Sequence, residues 1–175
     1  MKTRRKRARD VVWEGNIEGK IRIVLLRTRY VKRVYRQTLG IDSGMLGCIV
    51  NVGVLFDNKL AGCASFARTK GKELLMLKSV SFKNKLVSAF GRLILLLLIS
   101  SEAKQMIEKR YGGSYDVVIT SVISKWPESM LFRGVFKKYE MIKEGPYYYL
   151  KYRALFGLHT IRGARALWKD KYQKN

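Results

Sequence analysis

Ser88–Arg110 carries the strongest helical pattern in the chain, and its middle, Leu93–Ile99, is unbroken aliphatic sequence. A helix that is apolar all round has to be packed on most of its sides. The run is far short of the ~20 residues that a membrane span requires, and Arg92 adjoins it. It therefore reads as the central buried helix of a layered domain, stopped by Gly112-Gly113. The 175 residues suit one domain, and 47% apolar content is enough to build its core.

The surroundings of that helix predict a sheet. Ile21–Leu26 is a likeness of a first strand, and Arg27–Leu39 alternates cations with Tyr30, Val31, Val34 and Tyr35 as a helix with one basic face, ended by Gly40. Met45–Phe56 and Leu60–Phe66 read as strands joined by a tight turn at Asp57-Asn58-Lys59, and Glu73–Phe82 as a third. After the long helix, Tyr115–Ile123 reads as a buried strand. Pro127 and Glu128 open a helix lined by Phe132, Val135, Phe136 and Tyr139 and ended by Gly145-Pro146. Tyr147–Tyr152 is a last strand. This order implies an α/β fold: a mixed parallel and antiparallel sheet flanked by helices. The expected layout is a basic arm at 1–10, one domain at 11–160, and a basic helix or tail at 161–175.

Charge narrows the partner. Lys and Arg number 36 against 13 Asp and Glu, a net +23. A surface so cationic calls for an anionic partner, and nucleic acid rewards each neutralised phosphate with counterion release. A merely basic protein or a membrane surface would also carry such charge. Arg4, Arg5, Lys6 and Arg7 in the arm, and Arg29, Lys32 and Arg33 on the first helix, are the expected phosphate contacts. No apolar stretch follows the arm as a signal peptide would require, so a cytoplasmic protein is expected. Cys48 and Cys63 lie in apolar runs and read as buried thiols, and the single histidine, His159, cannot build a multi-histidine metal centre.

The element order is similar to that of the GNAT acyltransferases. The stretch Thr120–Phe136, with Ser124, Trp126-Pro127, Ser129-Met130 and Arg133-Gly134-Val135-Phe136, resembles a motif of the bacteriophage Mom family. Tyr149-Leu150-Lys151-Tyr152-Arg153-Ala154 looks like the closing strand of that family. The resemblance implies a transferase that decorates adenine N6 in phage DNA and so blocks restriction. It implies acetyl-CoA or a related acyl-CoA as cofactor and double-stranded DNA as partner; the sequence leaves the oligomeric state open, a homodimer included.

On that resemblance Tyr30, Ser124 and Tyr149 are the candidate catalytic residues, and Lys83, Lys85, Ser88, Gly91 and Arg92 the candidate cofactor site. Trp126, Ser129 and Arg133 join the DNA contacts. Plain structural roles stand beside these. Ser88 and Ser124 would each serve as a helix N-cap, Arg133 as an exposed helix arginine, Gly134 as a costly mid-helix glycine, and the tyrosines of 147–149 as ordinary strand aromatics. The 83–91 stretch holds one glycine where a GNAT phosphate loop has several, and Arg29-Tyr30 stands where the Mom family has His-Tyr. Those departures leave two alternatives open: a non-catalytic DNA-binding relative, and an acetyltransferase acting on a protein or another modified base.

Overall fold

The computed structural model describes residues 19–39, 49–69, 71–81, 87–129, 132 and 134–172. These residues form a mixed sheet of seven strands in the order β1-β2-β3-β4-β5-β7-β6. The strands are β1 (Ile21–Leu26), β2 (Ile49–Phe56), β3 (Lys59–Arg68), β4 (Glu73–Ser81), β5 (Val117–Ser124), β6 (Lys137–Glu144) and β7 (Tyr147–Leu155). Only β4 and β5 are parallel neighbours; every other pair is antiparallel. The β2–β3 turn places both Asp57 (φ 49°) and Asn58 (φ 64°) in the left-handed region, as a type I′ hairpin demands.

Helices cover the sheet unevenly. On one face lie α2 (Val87–Leu98), α3 (Ser101–Tyr111) and α4 (Ile161–Tyr172). Leu93–Ile99, Ala103, Ile107, Ala164 and Trp168 are buried there against Val52, Val54, Phe66, Leu74, Met76, Val118 and Leu150. On the other face α1 (Thr28–Leu39) seats Val31, Val34 and Tyr35 on Leu60 and Cys63 of β3. The buried Tyr35 hydroxyl bonds Ser65 (2.8 Å), Ser65 donates to Asn51 (2.6 Å), and Asn51 donates to Thr28 (3.1 Å), so this small layer is tied by a satisfied polar chain.

Three expectations need correction. The Ser88–Arg110 pattern is two helices, α2 and α3, and the break has a local cause. Ser100 adopts an extended backbone (φ −67°, ψ 166°) and its hydroxyl accepts from Ala103 N–H, capping α3. The loop after β7 satisfies the freed backbone: Gly157 N–H donates to Ile99 O and Ser101 N–H to His159 O, both at 2.8 Å. Glu102 in turn accepts from Ile161 N–H (2.7 Å), which starts α4.

The second correction concerns 127–144. No helix starts at Pro127 among the described residues; turns lead instead into β6, and Gly145-Pro146 turns the β6–β7 hairpin. Gly134 has φ 84°, so it serves a turn and not a helix interior. Phe132 and Phe136 reach the core by another route, their rings 5.4 Å apart and edge-on. Tyr139 is on β6 and 43% exposed. Tyr115–Ile123 is also less buried than expected. Val118 and Thr120 face the core, whereas Ile123 is 70% exposed, so only one face of β5 is covered.

Candidate active site

The sheet opens between β4 and β5, its two parallel neighbours. Their ladder runs through three pairs, Glu73–Val117, Leu74–Val118 and Leu75–Ile119, and stops. Beyond it β4 remains paired only with β3, and β5 only with β7. The cause lies on the β3 side. Ser65 pairs with Lys78 but Phe66 with Met76, which leaves Leu77 as an extra residue in β4. A bulge of this kind bends its strand and increases the local twist. β4 therefore swings away from β5 just beyond the last pair, Leu75–Ile119.

Thr120 closes the base of this cleft. Its buried hydroxyl donates to Met76 O at 3.0 Å, taking the carbonyl that a continued ladder would have used. Thr120→Val keeps the shape and removes the donor. It is expected to cost about 1–2 kcal/mol by leaving a buried carbonyl unsatisfied, read as a lower urea midpoint. An unchanged midpoint would mean that Met76 O has another donor.

Above Thr120 two strand edges face each other without a ladder. They are Leu77–Ser81 of β4 and Ser121–Ser124 of β5. Such edges can take up an extended amide-bearing ligand by strand-like hydrogen bonds. The gap is at the carboxyl ends of parallel strands, where open α/β sheets bind ligands, and α2 begins at Val87, shortly after β4. Neither edge carries a carboxylate or an imidazole: the residues are Leu-Lys-Ser-Val-Ser and Ser-Val-Ile-Ser. A cavity of about 560 Å³ lies elsewhere. It lies between the end of α2 (Leu96, Ile99), the start of β5 (Val117) and α4 (Leu167), at the end of the sheet where β4 and β5 are still paired.

The sequence-predicted residues fall into separate places. Ser124 ends β5 at the mouth of the cleft, and its Oγ accepts from Trp126 N–H (3.0 Å) rather than capping a helix. Trp126 beside it is 72% exposed. Ser129 donates its N–H to the buried Tyr152 hydroxyl (2.8 Å), which pins the motif segment across the sheet. Tyr149 pairs with Ile123 on β5, next to the Ser124–Tyr148 pair. Tyr30 stands apart, half-buried on α1 beside Leu60 and Cys63. Burial is the main reason its phenol is raised above its ordinary value, so it is held protonated.

For the cofactor set, α2 begins at Val87, so Ser88 lies in its first turn rather than at its cap; Gly91 follows, buried, and Arg92 is half-buried. Lys83 and Lys85 lie outside the described residues, as do Arg4, Arg5, Lys6, Arg7, Arg133 and Cys48. On α1, Arg29 and Arg33 are exposed and Lys32 is half-buried, opposite the packed Val31, Val34 and Tyr35. The basic face expected for that helix is there. No helix among the described residues is long and apolar enough to cross a membrane.

Sequence reasoning passed over Leu77, because nothing in Leu-Met-Leu-Lys-Ser marks a bulge. It also placed Tyr139 on a helix face, whereas Tyr139 and Ile142 stand on the strand β6.

The profile of the phage GNAT-like domain family matches residues 18–173. Solved structures share the fold. The aminoglycoside 6′-N-acetyltransferase from Enterococcus faecium has a TM-score of 0.54 at 9% identity, over 77% of this chain and 96% of that one. The ribosomal-protein-S18-alanine N-acetyltransferase from Escherichia coli has a TM-score of 0.50 at 14% identity, over 79% and 96%. A GNAT-family acetyltransferase from Streptococcus pneumoniae gives 0.50 at 9% identity, over 79% and 100%. At these identities the likeness is one of fold. No curated protein sequence matches the chain.

Proposed function

Since this chain belongs to the phage GNAT-like domain family, we propose that it transfers an acyl group from an acyl-CoA to an exocyclic amine of DNA, with adenine N6 as the acceptor. The observation that carries the transferase part is the cleft that the Leu77 bulge opens between β4 and β5. Its unpaired strand edges suit the amide-rich arm of CoA, and α2 begins close to the end of β4, where a pyrophosphate would bind. Bound there, the cofactor supplies a thioester, an acyl group activated for attack by nitrogen.

The protein's own part is electrostatic and positional. Neutral adenine N6 is a poor nucleophile, so the developing oxyanion needs donors, and the β4 backbone past the bulge offers N–H groups free of the β5 ladder. In such a transfer the amide C–N bond would form as the thioester C–S bond breaks, with N6 losing a proton and the departing thiolate taking one up. With no carboxylate or imidazole on either edge, a hydroxyl or water has to relay that proton. Ser124 suits the relay, because its oxygen already accepts from Trp126 and its O–H is left to donate.

The DNA part rests on charge and on the motif. The net +23 favours a polyanion, and the Mom-like stretch from Thr120 to Phe136 leads directly out of the cleft strand. Plasmid DNA from cells expressing the protein, digested to nucleosides, is expected to yield a deoxyadenosine of raised mass. Unmodified nucleosides from a folded preparation would remove DNA as the acyl acceptor. Acetyl-CoA at about 100 times its Kd adds about 2.7 kcal/mol, an expected rise in Tm of about 5–10 °C for a chain of this size. No rise with any acyl-CoA would remove the cofactor from the account.

A further inference from the structure

We infer that the outer face of β5-β7-β6 is a stacking platform for single-stranded nucleic acid, laid beside the cleft. The inference builds on the nucleic-acid reading above and specifies the form in which the acceptor is held.

Register and alternation define this face. Leu150 and Tyr152 of β7 point into the core, so Tyr149, Lys151, Arg153 and Leu155 point the other way. Their partners on β5 are Ile123, Ser121, Ile119 and Val117. Across β6, Tyr149 meets Ile142, Lys151 meets Glu140 and Arg153 meets Lys137. The Lys138–Glu140 irregularity brings Tyr139 round so that Arg153 lies over its ring at 5.5 Å. Among the described residues α1 covers β3 and no helix covers this half of the sheet. Ile123 is 70% exposed, Leu155 60%, Tyr139 43% and Ile142 41%.

Two features fit a single strand better than a duplex or a second protein. Tyr139 is exposed and Tyr149 half-buried on this face, with cations beside their rings, Arg153 over one and Lys151 over the other. Unpaired bases stack on such surfaces whatever their sequence, while a duplex hides its base faces. The charge on the face is cationic where it is free. Glu140 is held by Lys151 at 2.9 Å, Glu144 lies at the far corner, and Lys137 and Arg153 remain for phosphate. A second copy would set cation against cation on chains of +23 each, whereas a polyanion is complementary. The platform also borders the cleft through β5, so a base leaving the stack has a short path to the acyl group.

The test is fluorescence anisotropy with labelled dA12 and with a hairpin duplex of the same bases, at several salt concentrations. The intact chain is expected to prefer dA12. Tyr149→Ala and Tyr139→Ala are each expected to weaken dA12 binding about tenfold, within the range for losing one stacked base, at unchanged salt slope. Arg153→Ala is expected to reduce the slope by about 0.7, one phosphate on a single strand. Tyr149→Phe keeps the ring and is expected to bind like the parent, so a Tyr149→Ala chain that fails to fold still leaves Tyr139→Ala and Tyr149→Phe to decide. Unchanged dA12 binding in the tyrosine variants overturns the platform. So does a dimer in sedimentation that Ile123→Lys converts to monomer, since the face would then belong to a second copy. Tyrosine-dependent dA12 binding without any modified nucleoside keeps the platform and removes DNA as the acyl acceptor. Modified nucleosides with tyrosine-independent binding do the reverse.

Discussion

Deleting Leu77 is expected to slow the proposed acyl transfer by about 10²–10³-fold, the range for losing an oxyanion donor, while the chain still folds. The extra residue lies between Met76, which pairs with Phe66, and Lys78, which pairs with Ser65. Without it β3 and β4 can run in regular register, and Phe66 keeps its core position while Ser65 keeps its bond to Tyr35. A regular β4 loses the bend that parts it from β5. Its backbone can then extend the ladder past Leu75 and consume the N–H groups that the cleft leaves free. Two readouts are expected together: loss of the acyl-CoA-induced rise in Tm, and a parent-like far-ultraviolet circular dichroism spectrum. Full activity in the deletion variant would show that the bulge does not form the site.

Stability is expected to fall as pH rises from 9 towards 12, and Cys63 is one reason. Burial pushes its thiol up to about 12 from an ordinary value of 9.0, against the smaller downward pull of its hydrogen bond with Tyr35. The Tyr35 phenol is raised for the same first cause, burial, with the Cys63 charge next. Between the unfolded and folded values the unfolded chain has released its proton and the native chain still holds it. The contribution of Cys63 is therefore fully present below pH 9 and that of Tyr35 below pH 10, and each is lost at up to about 1.4 kcal/mol per pH unit above those values. Cys63→Val preserves the volume approximately and removes one of the two groups. Its urea midpoint is expected to fall less steeply with pH than the parent's across 9–12. Equal slopes would show that Cys63 is not the linked group. The same burial is expected to leave Cys63 unreactive to thiol reagents until the chain unfolds.

Much of the fold is legible in local sequence. The β2–β3 hairpin follows from Asp57-Asn58 between two apolar runs, since those residues tolerate positive φ. α1 follows from cations set against Val31, Val34 and Tyr35, and α3 ends where Gly112 can take φ 73°. β6 is not legible. Lys137–Glu144 is rich in Lys and Glu, which strands disfavour, and neither of its faces is buried. It is a strand because β7 offers a ladder. Phe132, Val135 and Phe136 also meet helical spacing while folding as turns, because the pattern registers distance along the chain and not the partner across it.

The candidate site divides in the same way. Ser124, Trp126 and Ser129 are near the cleft mouth or pinned across the sheet because a short local stretch holds them after β5. Tyr30 was grouped with them by resemblance alone, and α1 carries it to a separate cluster around Cys63. Composition, period and turn residues are sums over neighbours in the chain, so the sequence by itself determined the mixed α/β class, the cationic surface, the buried Leu93–Ile99 helix and most element ends. Tertiary structure alone decided three things. The loop at 157–159 made the break at Ser100 tolerable by taking up its backbone groups. Pairing with β7 made 137–144 a strand. The bulge at Leu77 opened the cleft. The first depends on hydrogen bonds between residues far apart in sequence, Gly157 with Ile99 and Ser101 with His159; the other two depend on the ladder with a neighbouring strand, which a period read along one segment does not register.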